Sequence, residues 1–188
     1  MKFLKLSLAS LAVSTALFAG NYNIDASHTN AGFTVKHMMI TNVTGKFNDV
    51  AGSFEFDEKT KTLKSISGEI VTASIDTANE KRDEHLKSDD LFGVEKFPKI
   101  TFKSTKIEKN KVQGELTIKG VTKAVTLDLE TSDVIKDPWG KQRTGFSLNG
   151  KIKRSDFGIT WNKALETGGV AVSDEVKLSV DIEGILAN

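Results

Sequence analysis

The chain has 188 residues, with 26 lysines and arginines against 25 aspartates and glutamates, and no cysteine. The missing cysteines exclude disulfides, a thiol nucleophile and a lipid-anchoring cysteine. Charges this balanced and intermixed lack the basic footprint of a nucleic-acid binder, and the length suits one domain with a sizeable core.

Residues 1–20 read as a secretory leader. Lys2 and Lys5 form a charged start, residues 6–18 are apolar, hydroxylic or small, and Ala16, Ala19 and Gly20 precede polar Asn21. The apolar run is shorter than the roughly 20 residues that span a bilayer. Residues 21–188 are expected to form one exported, soluble domain in the periplasm.

The mature part opens with strands of strict alternation. Ala31, Phe33, Val35 and His37 share one face of the first, and Val50, Gly52, Phe54 and Phe56 one face of the second. A polar turn at 57–62 leads into 63–75, where alternation is weakest. Thr77-Ala78-Asn79-Glu80 then fits a capping box with Thr77 as the cap. It opens a short polar helix carrying an Asp83/Lys87 pair at helical spacing. Ser88-Asp89-Asp90 is expected to cap a second short turn bearing Leu91 and Phe92, and Pro98 ends this crossover.

Five more alternating runs follow, at 100–107, 112–118, 125–129, 146–152 and 176–182, joined by turn-forming segments such as Lys119-Gly120 and Asp137-Pro138-Trp139-Gly140. The total is about eight strands, antiparallel by their short connections, and therefore a sandwich or a closed barrel. A barrel of that size either just fills its interior or holds one small ligand. Lys99, Lys103, Glu115, Lys177 and Asp181 on the outer face would meet lipid in a membrane-spanning barrel, which argues against one. Gly52, Gly114 and Gly150 fall on the inner face, where they permit curvature or leave room.

Catalytic chemistry is poorly represented. His28, His37 and His85 sit on separate elements without metal-ligand spacing, so no metal and no cofactor is expected. In Arg82-Asp83-Glu84-His85, neighbouring side chains point in different directions, which favours ion pairing or capping over a site. No nucleophile elbow or phosphate loop is present. Eleven phenylalanines against one tyrosine and two tryptophans favour an apolar core or cavity, because phenylalanine has no polar handle.

Several motifs together resemble the YceI-like, polyisoprenoid-binding family. They are Asp25-x-Ser27-His28, Phe33-x-Val35-x-His37, Gly45-x-Phe47, Ser74-Ile75-Asp76-Thr77 and Arg82-Asp83-x-His85-Leu86. Phe97-Pro98-x-Ile100-x-Phe102, Gly114-x-Leu116-Thr117-Ile118-x-Gly120-Val121-Thr122 and Arg154-Ser155-Asp156-Phe157-Gly158 continue the match. Ala31 departs from it, standing where a larger or hydroxylic residue is expected. The resemblance implies an all-β, lipocalin-like antiparallel eight-stranded β-barrel with a short helical crossover, forming a homodimer. It further implies an isoprenoid quinone, a polyprenyl phosphate or another long-chain lipid as the partner.

On this reading the ligand-binding residues are the inward Phe33, Val35, Phe54, Phe102, Leu116, Ile118, Leu127, Phe146, Leu148, Leu178 and Val180, with His37 at the mouth. Ser88 or Asn162 could join His37 around a polar head group. Two alternatives stand beside the carrier: an enzyme acting on the same ligand through His37 with Asp25 or Asp156, and a filled-core stress or interaction module.

Overall fold

The alternation becomes pleated sheet along most of residues 19–166 and 168–187, which a computed structural model describes. The leader read at 1–20 lies, apart from Ala19 and Gly20, outside the described residues. The strands in chain order are β1 (Gly20–Ile24), β2 (Asn30–His37), β3 (Thr41–Phe47), β4 (Val50–Asp57), β5 (Thr62–Val71) and β6 (Ile75–Asp76). Helix α1 (Glu80–Lys87) intervenes before β7 (Lys99–Glu108), β8 (Lys111–Ile118), β9 (Val121–Thr131), β10 (Ile135–Lys136), β11 (Gln142–Lys153) and β12 (Val172–Leu186).

All pairings are antiparallel, in the order β11–β9–β8–β7–β5–β4–β1–β12, and β12 closes the ring by pairing with β11 from Glu175 to Ile185. The result is an eight-stranded closed barrel. β2, β3 and β6 prolong the ring positions of β1, β4 and β5 toward one end, hereafter the mouth.

Three strands, β1, β3 and the two-residue β10, lie outside the eight runs read from sequence. β1 is short and half polar, and β3 continues the ring position of β4 across a bend at Asn48–Asp49. The weak alternation at 63–75 has a physical cause: β5 ends at Val71 and a 3-10 turn, Thr72–Ser74, re-aims the chain into β6. There Thr72 Oγ1 donates to Phe97 O at 2.9 Å and Ser74 Oγ to Val71 O at 2.7 Å.

The helix start also differs from the capping box. Asn79 is the cap, accepting from Arg82 N at 3.0 Å, while Thr77 is buried and gives both its amide and its hydroxyl to Asp83. That contact takes Asp83 away from Lys87. The short turn expected after Ser88 is present as a set of tight turns, closed by Leu91 N and Gly93 N on Ser88 O. Between β8 and β9, Lys119 (φ 51°) and Gly120 (φ 74°) make a two-residue hairpin, whose twist matches the flanking strands and needs positive φ at both positions.

The barrel interior divides in two. Away from the mouth, Tyr22, Phe54, Phe56 and Phe146 form a solid plug, each 2% exposed or less. Tyr22 stacks on Phe54 at 5.3 Å, and Phe54 meets Phe146 edge-on at 5.0 Å. Gly184 makes this possible, since a Cβ there would lie 2.4 Å from the Phe54 ring. Toward the mouth, Phe47, Ile75, Leu91, Ile100, Ile118, Phe157 and Ile159 form a second cluster under the crossover.

At the plug end, Arg143 gathers Asp25, Asp137 and Glu183 from separate elements, with 2.7 Å contacts to Asp25 Oδ2 and Asp137 Oδ2. Hydrogen bonds from Ser27, His28 and Arg143 hold the Asp25 carboxyl well below the usual range, and the hydrogen bond from Arg143 lowers that of Asp137. Depressed folded-state values mean that the unfolded chain takes up more protons near pH 4. Their stabilisation is therefore complete above that pH and lost as acid reaches the folded-state values. Thermal unfolding should show Tm falling on acidification below about pH 4. Arg143→Met should start from a lower Tm at pH 7 and fall less steeply; parallel acid limbs would contradict this account.

Candidate functional site

A cavity of about 410 Å³ occupies the mouth half of the barrel. Strand β12 shows how it arises. Val176, Leu178, Val180 and Ile182 all point inward, yet only the outer two are buried; Leu178 and Val180 between them are half-buried. On β2, Ala31 is buried while Phe33, Val35 and His37 are likewise half-buried. Inward side chains keep this exposure because they face open space rather than one another. The cavity is blind: Ile66, Leu127, Leu148 and Ile182 floor it, and the aromatic plug closes the barrel below.

Of the residues singled out from sequence, Phe33, Val35, His37, Phe102, Leu116, Ile118, Leu127, Leu148, Leu178 and Val180 line this cavity. Phe54 and Phe146 point inward as expected but belong to the plug, off the cavity wall. The inner-face glycines are packing seats rather than room for a ligand. A Cβ on Gly114 would lie 2.4 Å from Phe102, and one on Gly150 2.5 Å from Leu127. Gly52 (φ 151°) sits against Ser67 O and Gly68, where a Cβ would clash at 2.3 Å. Ala31, small and only 3% exposed, is also on the wall.

The crossover supplies the rim. Arg82, His85 and Leu86 recur at helical spacing, so one face of α1 turns all three to the cavity. Arg82 Nε donates to Thr77 Oγ1 at 2.7 Å and Nη2 to Thr77 O at 2.6 Å, leaving Nη1 without a protein acceptor among the described residues. The His85 ring stands edge-on to Trp161 at 4.7 Å. Arg154, 8% exposed, is held by carbonyls: Nη1 donates to Ile159 O and Trp161 O at 2.8 Å, and Nε to Ser173 O at 3.0 Å. Burial pulls its pKa down, and Asp174 partly restores it. The wall's ionisable groups are thus His37, Arg82, His85, Arg154 and one carboxylate, Glu69, which Lys99 holds at 2.8 Å. Sequence reasoning assigned Arg82 and His85 to capping or ion pairing; their three-residue spacing was the signal for a shared face.

Other candidates fall elsewhere. Ser88 Oγ donates to His85 O, and the Asn162 amide is used on Val172 and Lys163, pinning the loop before β12. Neither lines the cavity. Asp25, His28 and Glu183 bring ligand atoms within 4.8 Å of one another, a possible cation site, but Arg143 Nη1 already donates to both carboxylates. A guanidinium fills the place that a metal would need. Asp25 lies beyond the start of β2 and His37 at its far end, so the length of β2 alone, about 23 Å at about 3.3 Å per residue, lies between them. Asp156 is exposed on the turn after β11. Distance along β2 keeps Asp25 from orienting His37 as a base, and among the described residues no side-chain hydrogen bond joins Asp156 to it.

The sequence model of the YceI-like domain matches residues 22–184, and the chain belongs to the YceI-like family. A UPF0312 protein of Staphylococcus aureus is 42% identical over 164 residues, covering 87% of this chain and 96% of its own. The crystal structure of a Campylobacter jejuni YceI protein superposes with a TM-score of 0.70 at 34% identity over 100% of both chains. A domain from Saccharophagus degradans described as polyisoprenoid binding shares the fold, with a TM-score of 0.67 at 14% identity over 90% of this chain and 100% of its own. Among the described residues no helix is long and apolar enough to cross a membrane.

Proposed function

We propose that this YceI-like protein binds a long-chain isoprenoid lipid tail-first in the cavity. On this reading the leader at 1–20 exports the 21–188 domain to the periplasm, where it carries or sequesters that lipid as a homodimer. The observation that carries the reading is the half-exposure of inward apolar residues Phe33, Val35, Leu178 and Val180, which marks space kept open inside the barrel. A merely structural barrel of this strand number gains stability by filling that space. Each methylene removed from water contributes about 0.8 kcal/mol, so a tail supplies affinity without directional bonds. The polyisoprenoid-binding description of the Saccharophagus degradans domain points to the same ligand class.

The head group is anionic on this reading, a phosphate rather than a quinone. Arg82, Arg154, His37 and His85 offer donors at or near the rim, and the one carboxylate on the wall is already paired. Arg82→Gln is expected to weaken a prenyl phosphate by about tenfold, the scale of one charge-assisted hydrogen bond, and to leave the matching prenol unchanged. Equal losses for both would place Arg82 outside head-group recognition.

The test of the carrier reading is mass spectrometry of an organic extract from protein purified without detergent from its native compartment. A stoichiometric prenyl lipid is the expected result. An empty extract, with no uptake of added prenyl phosphates or quinones, would overturn it.

A further inference from the structure

The hairpin joining β2 to β3 is built against the usual preference. Met38 (φ 49°) and Met39 (φ 60°) occupy two successive left-handed positions, and Ile40 N closes the turn on His37 O at 3.0 Å. Such a turn favours Asn-Gly or Asp-Gly. A methionine pair followed by isoleucine gives the fold nothing there, because all three side chains are exposed, by 43%, 56% and 80%. The loop before β12 lies alongside: Met38 N donates to Ala171 O at 2.7 Å, a Cβ on Gly169 would come within 3.9 Å of Met39 Cγ, and Val170 is 36% exposed. The apolar tip is therefore continuous across two loops.

Its position gives it a use. His37, immediately before the tip, and Ala171 and Val172, opposite it, line the cavity, so the tip stands beside the cavity mouth without itself lining it. We propose that the Met38-Met39-Ile40 tip, with Val170, is a membrane-docking surface that sets the cavity mouth on a lipid bilayer. The inference rests on the cavity being a lipid site, because a lipid tail then passes from bilayer to barrel without crossing water. Four part-exposed side chains fall well short of the roughly 800 Å² per partner that a stable protein interface buries, which disfavours a second copy as the occupant. They suit shallow, reversible insertion at a headgroup boundary. Lys36 and Lys163 flank the tip, against one acid, Glu166, in the same loop, which suits a bilayer carrying anionic lipid.

The test compares the wild-type protein with a Met38→Asn/Met39→Gly/Ile40→Ser variant and, as control, Trp139→Ser, which removes an 81% exposed side chain from the opposite end of the barrel. Each is measured for sedimentation with mixed phosphatidylethanolamine–phosphatidylglycerol vesicles and for extraction of a fluorescent polyprenyl phosphate from them. Binding of free farnesyl phosphate is measured in parallel. The tip variant should fold with an equal or higher Tm, because Asn-Gly suits the turn, and should bind farnesyl phosphate as the wild type does. Its vesicle association should be lost and its extraction rate should fall at least tenfold, while Trp139→Ser matches the wild type. Extraction unchanged in the tip variant would overturn the docking surface alone, as would a loss shared with Trp139→Ser. Wild-type sedimentation that reports self-association, abolished by the tip changes, would replace the bilayer with a second copy. Failure of the wild-type protein to bind farnesyl phosphate at all would instead remove the lipid reading beneath it.

Discussion

Leu178→Trp is expected to weaken lipid binding about a hundredfold while the barrel stays folded. Leu178 lies mid-way along β12, opposite Phe33 on β2 and Gly150 on β11, and faces the cavity rather than the plug. Adding atoms to a filled core typically costs about 1–3 kcal/mol, because neighbours must leave their rotamers. Here the indole enters space that holds no side chain, so the cost to stability should fall below that range. The cost to binding is larger. Shutting about four methylenes out of the cavity forfeits about 3 kcal/mol, or roughly a hundredfold in affinity. Organic extracts and prenyl phosphate titrations would register the loss beside a near-native Tm. An unchanged prenyl phosphate affinity in Leu178→Trp would mean that the ligand lies elsewhere. Substitutions at Gly114 or Gly150 would not serve, since their first added carbon strikes Phe102 or Leu127 and perturbs the barrel itself.

Period-two alternation carried most of the architecture, and its failures were informative. β7, β8, β11 and β12 were legible because each has one dry and one wet face, so the inward set follows from counting by two. β1 was missed because its one large apolar residue before Ile24, Tyr22, sits between asparagines. β3 was missed because Gly45 replaces a side chain in its inward row. That glycine has a physical reason: a Cβ there would lie 2.4 Å from the Phe33 ring. Inwardness itself could not separate wall from plug. Phe54 and Phe33 carry the same pattern, and only the long-range meeting of Phe54 with Tyr22 and Phe146 makes one a plug residue and the other a wall residue. Arg154 was equally hidden, since its buried role depends on carbonyls of a loop that turns back over it.

The division between plug and cavity predicts the second large effect, in stability. Phe54→Ala should destabilise the protein by about 3–5 kcal/mol, the range for large aromatic truncations in filled cores. Phe54 is 2% exposed, stacks on Tyr22, meets Phe146 edge-on, and rests on Gly184. Truncation there forfeits the transfer free energy of the ring and leaves a cavity in a filled region. Val35→Ala, on the cavity wall, should cost about 1 kcal/mol, because its methyls already border open space and little packing is forfeited. Loading should respond in the opposite sense. Phe54→Ala should keep its lipid at temperatures where it remains folded, since Phe54 is off the wall, whereas Val35→Ala should change affinity for the ligand tail by several-fold. Chemical denaturation of both variants with and without prenyl phosphate resolves the two quantities. Equal destabilisation by the two changes would refute the division of this barrel into a half that holds the fold and a half that holds space. Lost loading in folded Phe54→Ala would return Phe54 to the ligand site.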